Sequence, residues 1–375
     1  MKIAYLAGAN SIHSVRWIQF FADRGHEIVW ISLAPPISDA EALSRRVKFF
    51  LITPSPLRDL SGRMGDLYLL PSAVKVRSII QKEKPDVLHV HSAGTYGLMA
   101  TFSGFHPRVL TPWGSDILLN KGLRRLIVQK AIVTADAYTC DGENTIQTLL
   151  AYGAKREAIE LIRFGTDTKK FSPKEKRMPA PDGTVRVISL RSMEPVYDHT
   201  TLLDAVSEVI KTRRIEVTMV GGGTIKEELE AYADTLGLRQ RGAVKFVGRV
   251  ENTKLPDLLR ASDIYVSTSL SDSGLASSTG EAMASGLPVV VTDSGDNTEW
   301  VADASQGLEK AGGFVVPCKD SRMLAEKLIW LIDHPAEREA FGDNNRAVIE
   351  ERYNFYREME KVEELYKRVV GGKKQ

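Results

Sequence analysis

Lys2-Ile3-Ala4-Tyr5-Leu6-Ala7 is a short apolar run that Gly8-Ala9-Asn10-Ser11 interrupts; Ser14 to Arg24 then carries apolar residues at helical spacing until Gly25. Glu27-Ile28-Val29-Trp30-Ile31-Ser32-Leu33 is apolar again. Runs of this length read as strands buried on both faces, and the segment between them as a helix ended by a glycine. Strand, helix and strand in that order form a βαβ unit, whose two strands run parallel.

The pattern continues along the chain. Runs rich in Val and Ile follow at Asp86 to His91, Val109 to Thr111 and Ala137 to Thr139, separated by helix-like stretches such as Val74 to Lys82 and Thr145 to Tyr152. Between Phe171 and Thr184 the chain turns to Ser172-Pro173-Lys174-Glu175-Lys176-Arg177-Met178-Pro179-Ala180-Pro181-Asp182-Gly183, which can neither continue a helix nor sit in a central strand. A second alternating set has strands expected near Val185 to Ser189, Glu216 to Val220, Val244 to Val247, Ile264 to Ser267, Val289 to Thr292 and Gly313 to Val316. Helices are expected from Thr200, Thr224, Lys254, Ser278 and Ser321. The expected fold class is α/β: two tandem Rossmann-like domains, residues 1–172 and 185–352, with a linker at 173–184 and an inter-domain cleft. In the last segment, 353–375, Phe355, Met359, Val362, Leu365 and Tyr366 recur at helical spacing, so one helix face needs burying. A return to the N-terminal domain and an oligomer contact both satisfy it.

The 375-residue chain is 43% hydrophobic and 26% charged, the composition of a globular protein rather than a disordered or fibrous one. No apolar run approaches the roughly 18 residues that cross a bilayer, and the opening run is too short for a signal-peptide core. A cytoplasmic protein is expected, at the inner face of the membrane if it meets lipid. Cys140 and Cys318 are the only cysteines, and no Cys/His spacing resembles a zinc site. Residues 1–175 hold 23 basic and 16 acidic side chains, +7, against −5 for the remainder. The basic half favours anionic partners or merely a soluble surface, and the near-neutral total of +2 disfavours nucleic acid.

Ligands of open parallel sheets bind at the carboxyl ends of the strands. The most informative stretch there is Ser271-Asp272-Ser273-Gly274-Leu275-Ala276-Ser277-Ser278-Thr279-Gly280-Glu281, which follows a strand and opens a helix with small hydroxyl residues. A helix start offers unpaired N–H groups and the positive end of the dipole, a combination that favours a diphosphate. Ser278-x-x-Glu281 is also the spacing of a capping box, which leaves Glu281 either a ligand or a cap. Arg191 closes another strand, where a guanidinium clamps a diphosphate and steadies charge on a leaving phosphate, unless it is simply solvated. Gly221-Gly222-Gly223 ends a strand, with Lys226 where a dinucleotide fingerprint has its third glycine, so nicotinamide binding is weakly supported. Gly248-Arg249 suits backbone recognition of a base, or a plain turn. In the first half, His91 lies nearer the carboxyl end of its strand than His89. Trp113-Gly114-Ser115-Asp116 combines an aromatic platform with polar tips, suited to a sugar or an acceptor headgroup; core filler is the competing reading for Trp113. His13 and Arg16 begin the first helix beside Gly8, placed for an anionic acceptor or as ordinary surface residues.

Together these elements resemble the retaining, nucleotide-sugar-dependent glycosyltransferases of the GT-B fold, family four in the sequence classification. The resemblance rests on Gly25-His26-Glu27, Asp86-Val87-Leu88-His89-Val90-His91, Gly114-Ser115-Asp116, Gly165-Thr166-Asp167 with Phe171 and Pro173, Arg191, Val220-Gly221-Gly222-Gly223, Phe246-Val247-Gly248 and, most specifically, Glu281-Ala282-Met283-Ala284-Ser285-Gly286-Leu287-Pro288-Val289. It implies that Glu281 holds the ribose hydroxyls, that Gly248, Arg249 and Val250 face the base, and that Arg191 neutralises the diphosphate. Ser273, Gly274, Leu275, Ser277 and Ser278 would meet diphosphate and donor sugar through their backbone, with Gly222 on the same donor side. The acceptor would enter from the N-terminal domain, past Gly8, His13, Arg16, Trp113, Ser115 and Asp116. No metal and no cofactor are implied, and anomeric configuration is kept by a front-face displacement aided by the departing phosphate.

Three positions depart from the family pattern. The lysine that usually follows the arginine is missing from Ser192-Met193-Glu194-Pro195-Val196-Tyr197-Asp198-His199, so Tyr197 or His199 fills its neighbourhood. Ser273 stands where the family has the first of two glutamates, which makes the adjacent Asp272 a candidate catalytic group with Arg191. Trp113 stands where the family often has histidine, leaving His91 or His13 to assist the acceptor. Two rivals are a sugar-nucleotide-binding protein with lost or weak turnover and a sugar-nucleotide 2-epimerase of the same fold. The expected partners are a nucleotide-sugar donor and a glycan or lipid-linked acceptor. Residues Lys121 to Lys130, with Arg45, Arg46 and Lys48, suit peripheral contact with an anionic membrane or a solvated basic helix.

Overall fold

The computed structural model describes residues 1–53, 69–113, 115–118, 123–173, 180–272 and 274–372. Two compact units divide the chain: Met1–Phe164 with Arg357–Gln375, and Gly165–Tyr356. Residues 174–179 of the linker lie outside the described residues, as do Gly114, Lys121, Gly122 and Ser273.

The first unit is built on seven parallel strands: β1 (Lys2–Leu6), β2 (Glu27–Ser32), β3 (Lys48–Leu51), β4 (Val87–His91), β5 (Arg108–Thr111), β6 (Ala137–Cys140) and β7 (Ile159–Leu161). Their order is β3-β2-β1-β4-β5-β6-β7. Tyr5 pairs with Trp30 on one side and His89 on the other. The four residues Ile3–Leu6 of β1 and all of β4, β5 and β6 are buried, as strands covered by helices on both faces must be. The two edge strands, β3 and β7, are not among those expected from the sequence, although Phe49-Phe50-Leu51-Ile52 and Ile159-Glu160-Leu161-Ile162 are short, mostly apolar runs. Each is short and mostly half-exposed, because an edge strand has one neighbour and needs no continuous apolar run.

The second unit carries β8 (Val185–Leu190), β9 (Ile215–Val220), β10 (Val244–Gly248), β11 (Ile264–Ser267), β12 (Val289–Thr292) and β13 (Gly313–Val316), all parallel, in the order β10-β9-β8-β11-β12-β13. One sheet face packs Val187, Val217 and Val266 against the helices His199–Val209 and Ser321–Asp333. The other packs Ile188, Tyr265 and Val291 against the helices Ser277–Ala284 and Pro335–Arg352.

The sequence assigns residues 165–172 to the first domain, but the structure places them in the second unit. The Thr166 amide donates to the Tyr353 carbonyl at 2.7 Å, and the Phe355 amide to the Thr166 carbonyl at 3.0 Å. Arg346 donates to the carbonyls of Phe171 (2.7 Å) and Thr168 (3.1 Å), and the Phe171 ring enters the second core. Linear reading misses this because the partners of 165–172 lie near 350 in sequence.

The final helix, Phe355–Gly371, buries Met359, Val362, Leu365 and Tyr366. Tyr366 shares a hydrogen bond with the Tyr5 hydroxyl at 2.8 Å and bonds His89 Nδ1; His89 Nε2 bonds Thr111 Oγ1 at 2.6 Å, and Thr111 bonds Thr139. This is a buried polar chain within the first unit, spanning four strands and a helix more than 200 residues further on. Among the described residues, no helix is long and apolar enough to cross a membrane.

Tyr366→Phe leaves the Tyr5 hydroxyl and His89 Nδ1 short of a partner in the interior. It is expected to cost about 1–3 kcal/mol, read as a lowered urea midpoint at neutral pH.

Candidate functional site

Strand order reverses between β1 and β4 in the first sheet and between β8 and β11 in the second. At such a point successive connections leave to opposite faces and open a crevice at the carboxyl ends. Gly8 and His91 lie at the first of these ends, Arg191 and the 268–274 loop at the second.

Arg191 directly follows β8 and is nearly out of solvent, its side chain 9% exposed. One terminal nitrogen, Nη2, donates to Asp272 Oδ1, and the guanidinium lies over the Tyr197 ring at 4.6 Å from its centroid. Among the described residues, the buried Nε has no hydrogen-bond partner. Burial disfavours the charge, but Tyr265, Asp272 and Tyr197 more than offset this, so the pKa stands above the usual arginine value. The result is a permanent cation with a buried, unpaired donor at Nε, which fits an incoming ligand oxygen. In the stretch lacking the family lysine, Tyr197 supplies a ring face. His199 is buried, with Nε2 at 2.9 Å from the Ser192 carbonyl, and burial lowers its pKa. It is a neutral ring and no second cation.

The triple glycine serves this arginine. A Cβ on Gly221 would fall 2.3 Å from the Arg191 carbonyl oxygen, and one on Gly223 2.1 Å from that of Met193. Backbone thus meets backbone, with the Met193 amide donating to the Gly222 carbonyl at 3.0 Å. Gly248, in the left-handed region at φ +70°, accepts from the Gly221 amide at 2.9 Å. The exposed Arg249 lies against Gly222, 3.1 Å from where a Cβ would be, so these two donor-side candidates meet. Val250 packs partly buried on the second core.

The helix Ser277–Ala284 begins after the extended residue Ala276, which has no side-chain group to cap it. Ser278 is therefore inside the helix. Its hydroxyl pairs with the Tyr265 hydroxyl at 2.9 Å, and the capping-box reading of Ser278 and Glu281 is not met. Glu281 is half-buried on this helix. Leu275 turns its side chain into the core, so only its backbone is available to a ligand. Gly274, at φ +66°, makes the turn. The helix has no acidic residue in its first turn to compete for the amides. The preceding loop is tied to the Arg191 side: Thr268 Oγ1 donates to the Tyr197 carbonyl at 3.0 Å and the Leu270 amide to that of Val196 at 2.8 Å.

In the first unit Gly8, His13, His91 and Trp113 line one cavity of about 370 Å³, together with Asn10, Ser14, Tyr96 and Phe164, which sequence reasoning did not single out. Trp113 stacks on Phe164 at 5.0 Å between centroids, and His13 leans on both at 5.6 Å. Trp113 is thus cavity wall rather than core filler. Phe164 sits at the end of the unit with no motif to mark it. His91 Nδ1 pairs with Ser14 Oγ at 2.9 Å, and Nε2 is buried without a partner among the described residues. Arg16, one turn beyond His13, is half-buried. Asp116 accepts from the amides of Ala93 (2.7 Å) and Trp113 (2.8 Å), so it fixes the cavity-lining loops. The Ser115 side chain lies outside the described residues. Among the described residues, no group of three or more His, Cys, Asp or Glu side chains is arranged to hold a metal ion.

Burial, and then the neighbouring His13, pushes the His91 imidazole down to about 3, and burial holds His89 well below its usual value. Unfolded, both take a proton near 6.5; folded, they do not until far lower pH. The unfolded chain binds more protons between these values, so stability falls as pH drops from about 6.5 toward 3. The urea midpoint is expected to drop between pH 7 and pH 5, and His91→Gln to make that drop shallower.

Residues 2–142 match the family described as glycosyl transferase 4-like, and residues 171–348 that described as glycosyl transferases group 1. The GDP-mannose-dependent monoacylated alpha-(1-6)-phosphatidylinositol monomannoside mannosyltransferase of Corynebacterium glutamicum is 26% identical over 246 residues, 62% of this chain and 62% of that protein. D-inositol 3-phosphate glycosyltransferase 2 of Catenulispora acidiphila is 27% identical, over 90% of this chain and 85% of its own. Anabaena HepE, solved in complex with UDP, superposes with a TM-score of 0.74 at 20% identity, covering 97% of this chain and 99% of that one. With both units matched in this way, the chain belongs to the family-four glycosyltransferases of the GT-B type, which use nucleotide-sugar donors.

Proposed function

We propose that the protein moves a hexose-type sugar from a nucleoside diphosphate sugar to a glycan or lipid-linked acceptor, with retention of anomeric configuration and without a metal ion or cofactor. The work belongs to cell-envelope or polysaccharide synthesis. The observation that carries this reading is Arg191, a buried cation at the strand-order reversal with an idle Nε. In the reaction the bond from the anomeric carbon to the diphosphate oxygen breaks, and its electron pair goes to the leaving phosphate. The acceptor oxygen bonds the same carbon from the same face, and its proton passes to the departing phosphate oxygen. Arg191 and the free amides at the start of Ser277–Ala284 stabilise the growing charge. Glu281 takes the ribose, and Gly248, Arg249 and Val250 the base. The acceptor is held by the first unit's cavity, where Trp113 and Phe164 offer ring faces to a sugar and neutral His91 a polar contact to a hydroxyl.

The name of one relative supports this acceptor class, since it acts on a phosphatidylinositol mannoside; that of another names an inositol phosphate, a small anionic acceptor. The UDP in Anabaena HepE supports the donor class. A second reading, donor binding without turnover, is favoured by the neutral His199 where a second cation is wanted. Membrane contact is supported by the helix Leu123–Val133, which exposes Leu126 and Val133 beside Arg124, Arg125 and Lys130.

Titrating UDP, GDP, ADP and dTDP calorimetrically into the protein is expected to give binding by at least one, and binding by none of them would sink the donor reading. Arg191→Ala is expected to lower the turnover number by about 10²- to 10³-fold, the scale for losing one preorganised donor; donor hydrolysis and transfer assays read it. Sedimentation with acidic liposomes is expected at low salt and not at high salt; protein left in the supernatant at both would remove the membrane role.

A further inference from the structure

We infer that Asp272 is the resting counter-ion of Arg191: a carboxylate that holds the guanidinium in place before the diphosphate arrives and then competes with it for the same charge. This rests on the donor reading above and goes further, because it assigns a positioning residue that sets how tightly donor and product are held.

Two buried charges carry the argument. The Arg191 and Asp272 side chains are only 9% and 10% exposed, and they are bonded to each other. A cation that far from water needs a partner, and removing that partner would leave it uncompensated. The carboxylate does not reach this position by chance. Gly295, at φ +58°, lets the backbone of Asp272 come so near that a Cβ there would fall 2.7 Å from the Asp272 carbonyl oxygen. On the other side, Thr268 and Leu270 bind the loop before Asp272 to the carbonyls of Tyr197 and Val196. The Tyr197 ring covers one face of the guanidinium. Arg191 is thereby fixed by its face and by Nη2, leaving buried Nε for a new oxygen.

A diphosphate that takes this place meets a charge already half spent. With His199 neutral, nearby Arg191 and Asp272 sum to roughly zero, so main-chain amides must supply much of the hold on the anion. Phosphate and carboxylate sharing one guanidinium also repel each other. Asp272 therefore weakens the complex with the leaving nucleoside diphosphate and re-pairs with Arg191 when it departs. A position that would lower affinity in the resting pair thus favours product release.

The test compares wild type, Asp272→Asn and Asp272→Glu by calorimetry, using whichever of UDP, GDP, ADP and dTDP binds the wild type. Thermal unfolding of each variant establishes that it is folded. Asp272→Asn keeps a hydrogen-bonding side chain and removes the charge. It is expected to bind the nucleoside diphosphate on the order of tenfold more tightly, with stronger product inhibition and a lower kcat at unchanged or lower KM. Asp272→Glu is expected to return affinity toward wild type. If the folded Asn variant binds the diphosphate equally or more weakly, Asp272 is a support or a sugar contact and the inference is overturned. Absence of binding by the wild type itself would instead remove the donor reading, and this inference with it.

Discussion

A guanidinium with nine-tenths of its side chain out of water has to be met by other groups, and much of the second unit is arranged to meet it. Arg191 leaves the sheet where strand order reverses, between the exits of β8 and β11. The β9 exit has to pass close beneath it, which is possible only with hydrogen in place of side chains at Gly221 and Gly223. The β11 exit has to bend back to bring Asp272 alongside, and Gly295 makes room for that bend. Tyr197 closes the remaining face. Three loops that look unrelated in sequence are thus constrained by one charge.

The first unit handles polarity differently. Its interior holds two histidines, and both are kept neutral by burial. His89 spends both ring nitrogens on hydroxyls, through Tyr366 and Thr111, while His91 spends one on Ser14 and leaves the other idle at the wall of an aromatic cavity. The pair lie edge to face at 4.8 Å between ring centroids. A group that stays uncharged across ordinary pH can contact a sugar hydroxyl without drawing in counter-ions, which suits a wall built from Trp113 and Phe164.

Strands rich in Val and Ile were legible where most of their residues are buried, which is why β1, β2, β4, β5, β6, β8, β9, β11, β12 and β13 could be read directly; the edge strand β10 was read from its apolar residues although only Val244 in it is fully buried. The edge strands β3 and β7 were not, since each is only three or four residues long and a run that short does not distinguish a strand from a loop. Arg191 and the helix opening at Ser277 were legible as strand-end features, because a lone basic residue after an apolar run and a run of small hydroxyl residues are both local signals. The partnership of Arg191 with Asp272 was not, since it joins residues 81 positions apart through two loop conformations. The same holds for Phe164 against Trp113 and for residues 165–172 against 353–355. In each case the deciding contact is distant in sequence and carries no periodicity. The Ser278–Glu281 spacing left a cap open that the structure does not make, because the short-range motif is present in letters while the Tyr265 hydroxyl pairs with the serine.

The final helix has a bearing on how the chain comes into being. Synthesis proceeds from the amino end, and domains ordinarily fold in that order as they emerge. Here the hydroxyls and imidazole in the middle of the first sheet obtain their partner from Tyr366, nine residues from the last. The second unit, continuous from Gly165 to Tyr356, emerges from the ribosome ahead of the segment that finishes the first. The half made earliest is therefore the half sealed latest, and until that seal is set its polar interior has only water to satisfy it.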